Sequence, residues 1–412
     1  MDQSQCELGI DSTCPHCPVR RESGGGQKAQ GENSLHRLKL VDEKTSPALP
    51  VNHGMPTLDT DGKPLSMFEF WPAWFFYTPV VVQWLWYGIK YRSFSLPLAA
   101  NPGIELSGMV GESKDAILSL AGEKAKPWVL PYVMWEKNDA SPETQAHQAM
   151  SLLQKEGLGF PVVAKPDLGC RGAGVRLVEN RGELEEYMRL FPNGARLMLQ
   201  QKAPYNAEAG VFYVRYPGEK RGRIFSLTLK YNPFVTGDGK RNLAQLIDDD
   251  PRAGQLSHLY HARHEDKLDL VLADGETFRL AFAGSHSRGA IFRNGNAYIT
   301  DALVDRLDEI FNDFPGYHFG RLDLKFKDID SLMEGNDFVM LEANGASSEA
   351  AHIWDRGATL KDAFSTLLAQ YRMLFEIGNK QRALGHKVPT LMELYRAWRK
   401  EKALVQDYPS TD

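Results

Sequence analysis

The chain has 412 residues, of which 42% are hydrophobic and 25% charged, and its formal net charge is −5. This length is enough for two or more subdomains with buried cores, and the mildly acidic balance argues against nucleic acid as a partner. Because the chain has four cysteines and no secretory signal, we expect it in a reducing, cytoplasmic compartment.

Residues 1–66 are poor in aromatic residues and rich in Gly, Ser, Gln, Pro and charge, which predicts a disordered tail. Cys6, Cys14 and Cys17 cluster there beside His16. A structural zinc site would need a second Cys or His pair, which does not follow. We therefore interpret these cysteines as incidental thiols.

Residues 68–90 hold four of the eight tryptophans, and no charge lies between Phe70 and Ile89. Pro72 and Pro79 argue against a simple membrane-spanning helix. Three interpretations stay open: a buried or docked helix of an N-terminal subdomain, a partner surface, and peripheral membrane contact. The docked helix is the favoured one, with the membrane-associated alternative second.

Further along, the apolar run 94–100 predicts a short strand, so we expect residues 67–132 to form a small α/β subdomain. At the other end, 359–377 and 390–402 have the amphipathic pattern of two helices, and residues 379–412 are expected to form a C-terminal helix and tail.

A glycine-rich loop between two short apolar runs is the first feature that suggests chemistry. The runs are 160–164 and 175–178, and Lys165 stands at the mouth of the loop. The loop contains Gly169, Arg171, Gly172 and Gly174. Backbone N–H groups of such a loop can approach phosphate oxygens, and a lysine can reach the same phosphates. No Gly-Lys-Ser/Thr follows, so this is not a Walker loop.

Two strand-like segments near the C-terminus, 321–326 and 339–345, carry aligned polar side chains. Period-two alternation places Arg321, Asp323 and Lys325 on one face of the first segment and Glu342 and Asn344 on one face of the second. Two carboxylates and a carboxamide are oxygen ligands that suit Mg²⁺, with Mn²⁺ as an alternative. A solvated strand face with a salt bridge is the plainer interpretation of either segment alone.

Taken in order, these residues resemble the ATP-grasp superfamily, and within it carboxylate–amine ligases of the D-alanine–D-alanine ligase type. The resemblance covers roughly residues 100 to 380. It implies ATP-binding roles for Lys114, Lys165, the glycine loop, a hinge at Gln201, Lys202 and Ala203, a ribose-binding Glu208, and Lys230. It also implies a catalytic role for Arg321 and metal binding by Asp323, Glu342 and Asn344.

The resemblance implies an α+β ATP-grasp fold over residues 133–378, in which two α+β subdomains clamp ATP. The implied reaction is Mg²⁺-dependent ligation of a small-molecule carboxylate to an amine through an acylphosphate. A phosphotransferase without an amine acceptor, and a nucleotide-binding, membrane-associated protein without ligase activity, are the alternatives.

The chain departs from the family pattern after Asn344. Ser347 or Ser348 could bind a substrate carboxylate, whereas Glu349 would repel one and could attract an amine. The same three residues also fit a helix N-terminus. Arg288 is a weak substrate candidate, and a solvated turn is the safer interpretation of its segment.

Overall fold

A computed structural model describes residues 51–59, 65–69, 71–169, 172–282, 284, 286 and 289–409. The cysteine cluster at Cys6, Cys14 and Cys17 and the candidates Arg171 and Arg288 lie outside the described residues. Helices and strands are mixed through the described ranges, so the α+β class is confirmed.

The described elements before the first strand are all helical. They are α1 (Ala73–Phe76), α2 (Thr78–Lys90) and α3 (Lys114–Leu118), with short 3-10 turns between them. The strand predicted at 94–100 is wrong, because Leu96–Ala99 forms a 3-10 turn with Pro97 in its first turn. A short apolar run does not distinguish a strand from a buried helical turn, and here Leu96–Ala99 is buried and packs on the helix Leu360–Ala383.

Residues 51–59 pack against the folded core and are not part of a disordered tail. The Asn52 side chain donates to the Asn232 carbonyl at 3.1 Å and accepts the Asn232 N–H at 2.7 Å. The Tyr231 hydroxyl donates to the Pro56 carbonyl at 3.0 Å. The predicted tail boundary at residue 66 therefore lies too far along the chain for this segment.

The first sheet has four antiparallel strands in the order β1-β4-β2-β3. Its elements are β1 (Tyr132–Glu136), α4 (Pro142–Lys155), β2 (Val162–Pro166), β3 (Arg176–Val178), α5 (Arg181–Leu190) and β4 (Arg196–Gln201). Buried residues of α4 and α5, among them Leu153, Leu184 and Tyr187, pack with the sheet into one core. The predicted hairpin around the glycine loop is confirmed as β2 and β3.

The second sheet has five antiparallel strands in the order β11-β10-β5-β6-β9. The elements of this half are β5 (Ala207–Val214), β6 (Arg223–Tyr231), β7 (Phe234–Thr236), α6 (Leu243–Asp249), α7 (Ser257–Arg263), β8 (Thr277–Arg279), β9 (Ile291–Asn294), α8 (Asp301–Phe311), β10 (Phe319–Phe326), α9 (Ile329–Met333) and β11 (Phe338–Asn344). Strands β7 and β8 form a separate small ribbon. The two polar segments predicted from the sequence are thus neighbouring strands, β10 and β11.

Two helices complete the chain, α10 (Leu360–Ala383) and α11 (Leu391–Gln406), and both predicted helices are confirmed. Helix α2 docks on α10, because Gln83 donates to the Leu368 carbonyl at 2.9 Å and the Trp84 and Phe375 rings lie 5.1 Å apart. The aromatic segment therefore contains a helix docked on α10, and the partner-surface and membrane-contact interpretations stay predictions. Among the described helices, none combines the length and apolar character needed to cross a bilayer.

Candidate active site

A cleft of about 940 Å³ is lined by residues of both sheets, the N-terminal segment and α11. Sixteen of the residues predicted from the sequence line it: Lys114, Lys165, Gly169, Gly172, Gln201, Lys202, Ala203, Glu208, Lys230, Arg321, Asp323, Glu342, Asn344, Ser347, Ser348 and Glu349. Gly174 does not line it, although it belongs to the same loop, and its carbonyl accepts the Tyr187 hydroxyl at 2.7 Å. Residues far apart in the sequence therefore converge on one cavity.

Five side chains of alternating charge cross the floor of the cleft, and we call them the ion-pair chain. Lys325 contacts Glu208 at 3.2 Å, and Glu208 contacts Lys230 at 3.2 Å. Lys230 contacts Asp323 at 2.9 Å, and Asp323 contacts Arg321 at 2.9 Å. Three cations and two carboxylates leave the chain with one excess positive charge, which suits an anionic ligand.

Strand register explains how the ion-pair chain forms. Glu208 lies directly opposite Lys230 on β6 and opposite Lys325 on β10. Asp323 lies opposite Gly210, and a Cβ atom at Gly210 would meet the Arg321 Cδ atom at 3.1 Å. The missing side chain leaves room for Lys230 to reach Asp323 diagonally.

Charge pairing keeps the two carboxylates of the ion-pair chain ionised although both are buried. Burial alone would raise the pKa of Asp323, but Arg321 and Lys230 hold it well below the usual range of an aspartate. Burial acts on Glu208 in the same way, and Lys325 and Lys230 lower the pKa of that carboxyl. Both groups therefore carry negative charge at neutral pH.

Lys165 projects from β2 into the cleft, where it is buried and donates to the Leu341 carbonyl at 3.1 Å. Burial lowers the pKa of this lysine to about 8, against the raising effect of the nearby Glu342 carboxylate. A bound anion would stabilise the positive charge on Lys165, which burial disfavours. The position and the chemistry therefore suit a phosphate contact.

Lys114 is tied to the glycine loop. Its ammonium group donates to the carbonyl oxygens of Pro166 at 3.1 Å, Asp167 at 3.3 Å and Gly169 at 3.1 Å. Asp167 fastens the same loop to α3, because it accepts the Ser113 hydroxyl at 2.9 Å. Lys114 and Lys165 thus bring two cationic side chains to the cleft from different elements, the first at the glycine loop and the second at β11.

Glu112 is a cleft residue that the sequence reasoning missed. Its carboxylate accepts the Gly345 N–H at 2.9 Å, directly after Asn344 on β11. Burial raises the pKa of Glu112 to about 8, and repulsion from Glu342 adds to that rise. The sequence signal was its place two residues before Lys114 in the motif Gly-Glu-Ser-Lys.

The predicted adenine hinge lies at the end of β4 and lines the cleft. In this structure the Gln201 N–H donates to the Pro131 carbonyl at 2.9 Å, and the Lys202 N–H donates to the Pro161 carbonyl at 3.4 Å. Both carboxylate oxygens of Glu208 contact lysines of the ion-pair chain. The roles of these residues toward adenine and ribose stay predictions.

The predicted metal ligands meet across one strand pair. Asp323 lies opposite Glu342, and the Asn344 amide donates to a Glu342 oxygen at 3.3 Å. Two carboxylates and a carboxamide fit a hard dication whose other ligands are phosphate oxygens and water. Within the described residues, no three His, Cys, Asp or Glu side chains form a metal-binding group. Asp323 is also already neutralised by Arg321 and Lys230, which leaves Glu342 as the more available ligand.

The loop after β11 contains the predicted substrate residues. The Ser348 hydroxyl is buried and donates to the Gly345 carbonyl at 2.5 Å, whereas Ser347 is exposed. The Glu349 carboxylate accepts the Trp354 indole N–H at 2.5 Å and the Tyr77 hydroxyl. The Arg321 side chain reaches the Glu349 carbonyl at 3.5 Å, so this loop adjoins the ion-pair chain.

Helix α11 also lines the cleft, a role that its amphipathic pattern did not indicate. It contributes Trp398, Glu401, Lys402, Val405 and Gln406. Glu401 accepts the Gly111 N–H at 2.8 Å, near Lys114 in the sequence. Just beyond the helix, the Tyr408 hydroxyl donates to the Leu168 carbonyl of the glycine loop at 2.7 Å. Through Glu401 and Tyr408, the C-terminal segment therefore contacts both loops that carry the proposed phosphate contacts.

No protein-family model and no curated protein matches the chain. Among solved structures, the chain is similar to a D-alanine–D-alanine ligase from Bacillus anthracis, with 11% identity over 69% of this chain and 72% of that one and a TM-score of 0.38. It is also similar to VanG D-Ala:D-Ser ligase from Enterococcus faecalis, with 13% identity over 65% of this chain and 64% of that one and a TM-score of 0.36.

A third similar structure is a bifunctional glutathione synthetase from Pasteurella multocida, with 16% identity over 64% of this chain and a TM-score of 0.34. The match spans only 36% of that protein. TM-scores below 0.5 are too low to assign a function to this chain. Its function is instead inferred from its own residues and from the geometry of its cleft.

Proposed function

We propose that the protein is an ATP-grasp ligase that uses ATP to join a carboxylate to an amine. The observation that supports this most is the ion-pair chain, which shares one cleft with Lys165 and the glycine loop. The order of these residues along the sequence also matches the ATP-grasp pattern. An excess of positive charge in a cleft of this size suits a nucleoside triphosphate.

In the proposed reaction, a carboxylate oxygen of the substrate attacks the γ-phosphorus of ATP. The bond from that phosphorus to the bridging oxygen breaks, and ADP leaves. The amine nitrogen then attacks the acyl carbon, the carbon–oxygen bond to phosphate breaks, and the nitrogen loses a proton. Such a sequence needs positioning and charge neutralisation more than covalent chemistry by the protein.

Lys165 and Lys114 would neutralise the transferring phosphate, and Arg321 would stabilise negative charge on the acylphosphate and the tetrahedral intermediate. Mg²⁺ held by Glu342, Asn344 and Asp323 would supply further neutralisation of the phosphate charge. The glycine loop and α11 would exclude water, which otherwise hydrolyses the acylphosphate.

Glu349 favours ligation over simple phosphotransfer. A carboxylate on the cleft-lining loop whose backbone contacts Arg321 suits an incoming amine, whereas a phosphotransferase has no need of an amine site. The test is to screen small acids and amines, singly and in pairs, for ADP release and for an amide by mass spectrometry. We expect ADP release to need both partners. ADP release with an acid alone, together with a stable phosphorylated product, would favour the phosphotransferase.

A further inference from the structure

Among the residues that the structure describes, only neutral hydrogen-bond donors contact the Glu349 carboxylate. The Trp354 indole N–H and the Tyr77 hydroxyl both donate to its carboxylate. The nearest guanidinium, that of Arg321, contacts the backbone of Glu349 and gives its charge-assisted hydrogen bonds to Asp323. The Glu349 carboxylate therefore accepts no charge-assisted hydrogen bond from a described residue, although its charge also acts on Arg321.

The backbone around Glu349 is fixed from behind by one fully buried side chain. The Gln370 amide on α10 donates to the Ser348 carbonyl at 2.8 Å and accepts the Ala350 N–H at 3.0 Å. These two bonds bracket Glu349. The carboxylate is thus held in place before any ligand arrives, which lowers the entropic cost of binding.

Aromatic rings form the wall beside this carboxylate. Tyr77, Trp354, His286 and Phe292 all line the cleft. The Trp354 ring lies 5.5 Å from the His286 ring and 5.1 Å from the Phe76 ring, so its position is set by neighbouring rings. A carboxylate attracts an ammonium group by charge, and rings in the same wall add to that attraction where a ring face meets the cation.

The same loop is poorly suited to bind a carboxylate on the acceptor. The Ser348 hydroxyl already donates to the Gly345 carbonyl, and Glu349 would repel an anion. The imidazole of His286 lies 2.8 Å from Glu69, which neutralises its charge when it is protonated. Ser347 also lines the cleft, but its hydroxyl carries no charge, so an amino acid whose carboxylate pointed at this loop would bind weakly.

We propose that the amine acceptor carries a second cationic group, which binds the Glu349 carboxylate between Tyr77 and Trp354, so that the acceptor belongs to the diamine class. The inference rests on the proposed ligase activity. One amine group attacks the acyl carbon near Arg321, and the other remains protonated at Glu349.

The test uses the full-length protein with an acid that supports turnover and three acceptors that each have four carbons: 1,4-diaminobutane, butylamine and γ-aminobutanoate. We expect the lowest KM for the diamine. Glu349→Gln should raise that KM by roughly ten- to hundredfold, the loss expected for one charged hydrogen bond, and bring it to the value for butylamine. Glu349→Asp should restore part of the preference.

Glu376→Gln is the matched control, because Glu376 also accepts a tyrosine hydroxyl, that of Tyr216, but does not line the cleft. It should keep the preference for the diamine. Equal use of all three acceptors by the wild type, or an unchanged preference in Glu349→Gln, would overturn the inference and leave ligation intact.

If no acid in the screen supports turnover with any acceptor, the result counts against the ligase itself. Calorimetry then tests the subsite separately, with diaminobutane titrated into the ATP-containing protein. Binding that Glu349→Gln abolishes and Glu376→Gln keeps would support the cationic subsite. No binding to the wild type would overturn it.

Discussion

At the scale of single residues, Asp323 and Glu342 differ in a way that the sequence did not reveal. Asp323 is buried between Arg321 and Lys230, whereas Glu342 is partly exposed to the cleft. Removing one partner of a buried ion pair leaves uncompensated charge and costs about 3–5 kcal/mol. Loss of activity in a variant of Asp323 would therefore combine an effect on catalysis with an effect on stability.

We expect Glu342→Gln to abolish ADP formation while the thermal midpoint stays near that of the wild type, because this partly exposed side chain makes no ion pair among the described residues, although it lies near Lys165. Asp323→Asn should lose activity and also unfold at lower temperature. Thermal denaturation followed by circular dichroism, alongside ADP release at several Mg²⁺ concentrations, measures both effects. Near-wild-type turnover in Glu342→Gln at ordinary Mg²⁺ would refute the metal assignment.

Lys165 gives a prediction about pH. Its pKa of about 8 in the free protein means that it is charged below that pH and neutral above it. Affinity for ATP should therefore fall as pH rises through about 8. Calorimetric titration of ATP at pH values on either side of 8 measures this, with Lys165→Met as the control that should bind weakly and show a flatter pH dependence. A wild-type affinity unchanged across this range would contradict a phosphate contact.

At the scale of secondary structure elements, α11 and the residues after it bind the loops of the cleft. Tyr408 both donates to Leu168 and stacks on Phe191, with ring centroids 5.5 Å apart and planes 3° from parallel. Glu401 fixes Gly111 at the other loop. The segment from α11 to Tyr408 thus contacts two loops for which phosphate binding is a prediction.

Tyr408→Phe removes the hydrogen bond to the glycine loop but keeps the stacked ring, at a cost of about 1 kcal/mol. Tyr408→Ala removes both. If the helix orders the glycine loop, KM for ATP should increase from wild type through Tyr408→Phe to Tyr408→Ala, with kcat affected less. Steady-state kinetics give the order. Equal KM values for ATP in all three proteins would mean that α11 packs against the fold without affecting ATP binding.

At the scale of the whole molecule, one face of the α1–α2 region is apolar and open. Trp74 is 77% exposed, Ile89 67% and Trp86 64%, whereas Trp84 packs on α10. Lys90 and Arg92 lie at the end of this face. Exposed tryptophans next to basic residues are typical of a membrane interface, so peripheral membrane contact stays a prediction, as does the cytoplasmic location.

If this face meets lipid, the protein should co-sediment with neutral and anionic liposomes alike, since only two basic residues flank it. The double substitution Trp74→Ser and Trp86→Ser should abolish co-sedimentation without lowering the thermal midpoint. Trp84→Ser should instead destabilise the fold, because that ring packs on Phe375. Failure of the wild type to sediment with either liposome would exclude this contact.

The sequence by itself determined the local parts of the site. Period-two alternation placed Arg321, Asp323 and Lys325 on one face of β10, and the three glycines marked the loop between β2 and β3. These features depend on residues a few positions apart, where backbone geometry fixes side-chain direction. The same rule predicted the strands β10 and β11 and the helices α10 and α11.

Only the tertiary structure decided which of these parts meet. Tyr77 and Glu349 are 272 positions apart, and nothing in either local pattern indicates their hydrogen bond. The burial of Leu96–Ala99 as a helical turn likewise depends on surfaces contributed by distant segments. The same is true of the place of α11 at the cleft. A sequence pattern states which face of an element is apolar or charged. It does not state the partner, because many distant apolar or charged faces satisfy the same local requirement and only the packing of the whole chain selects one.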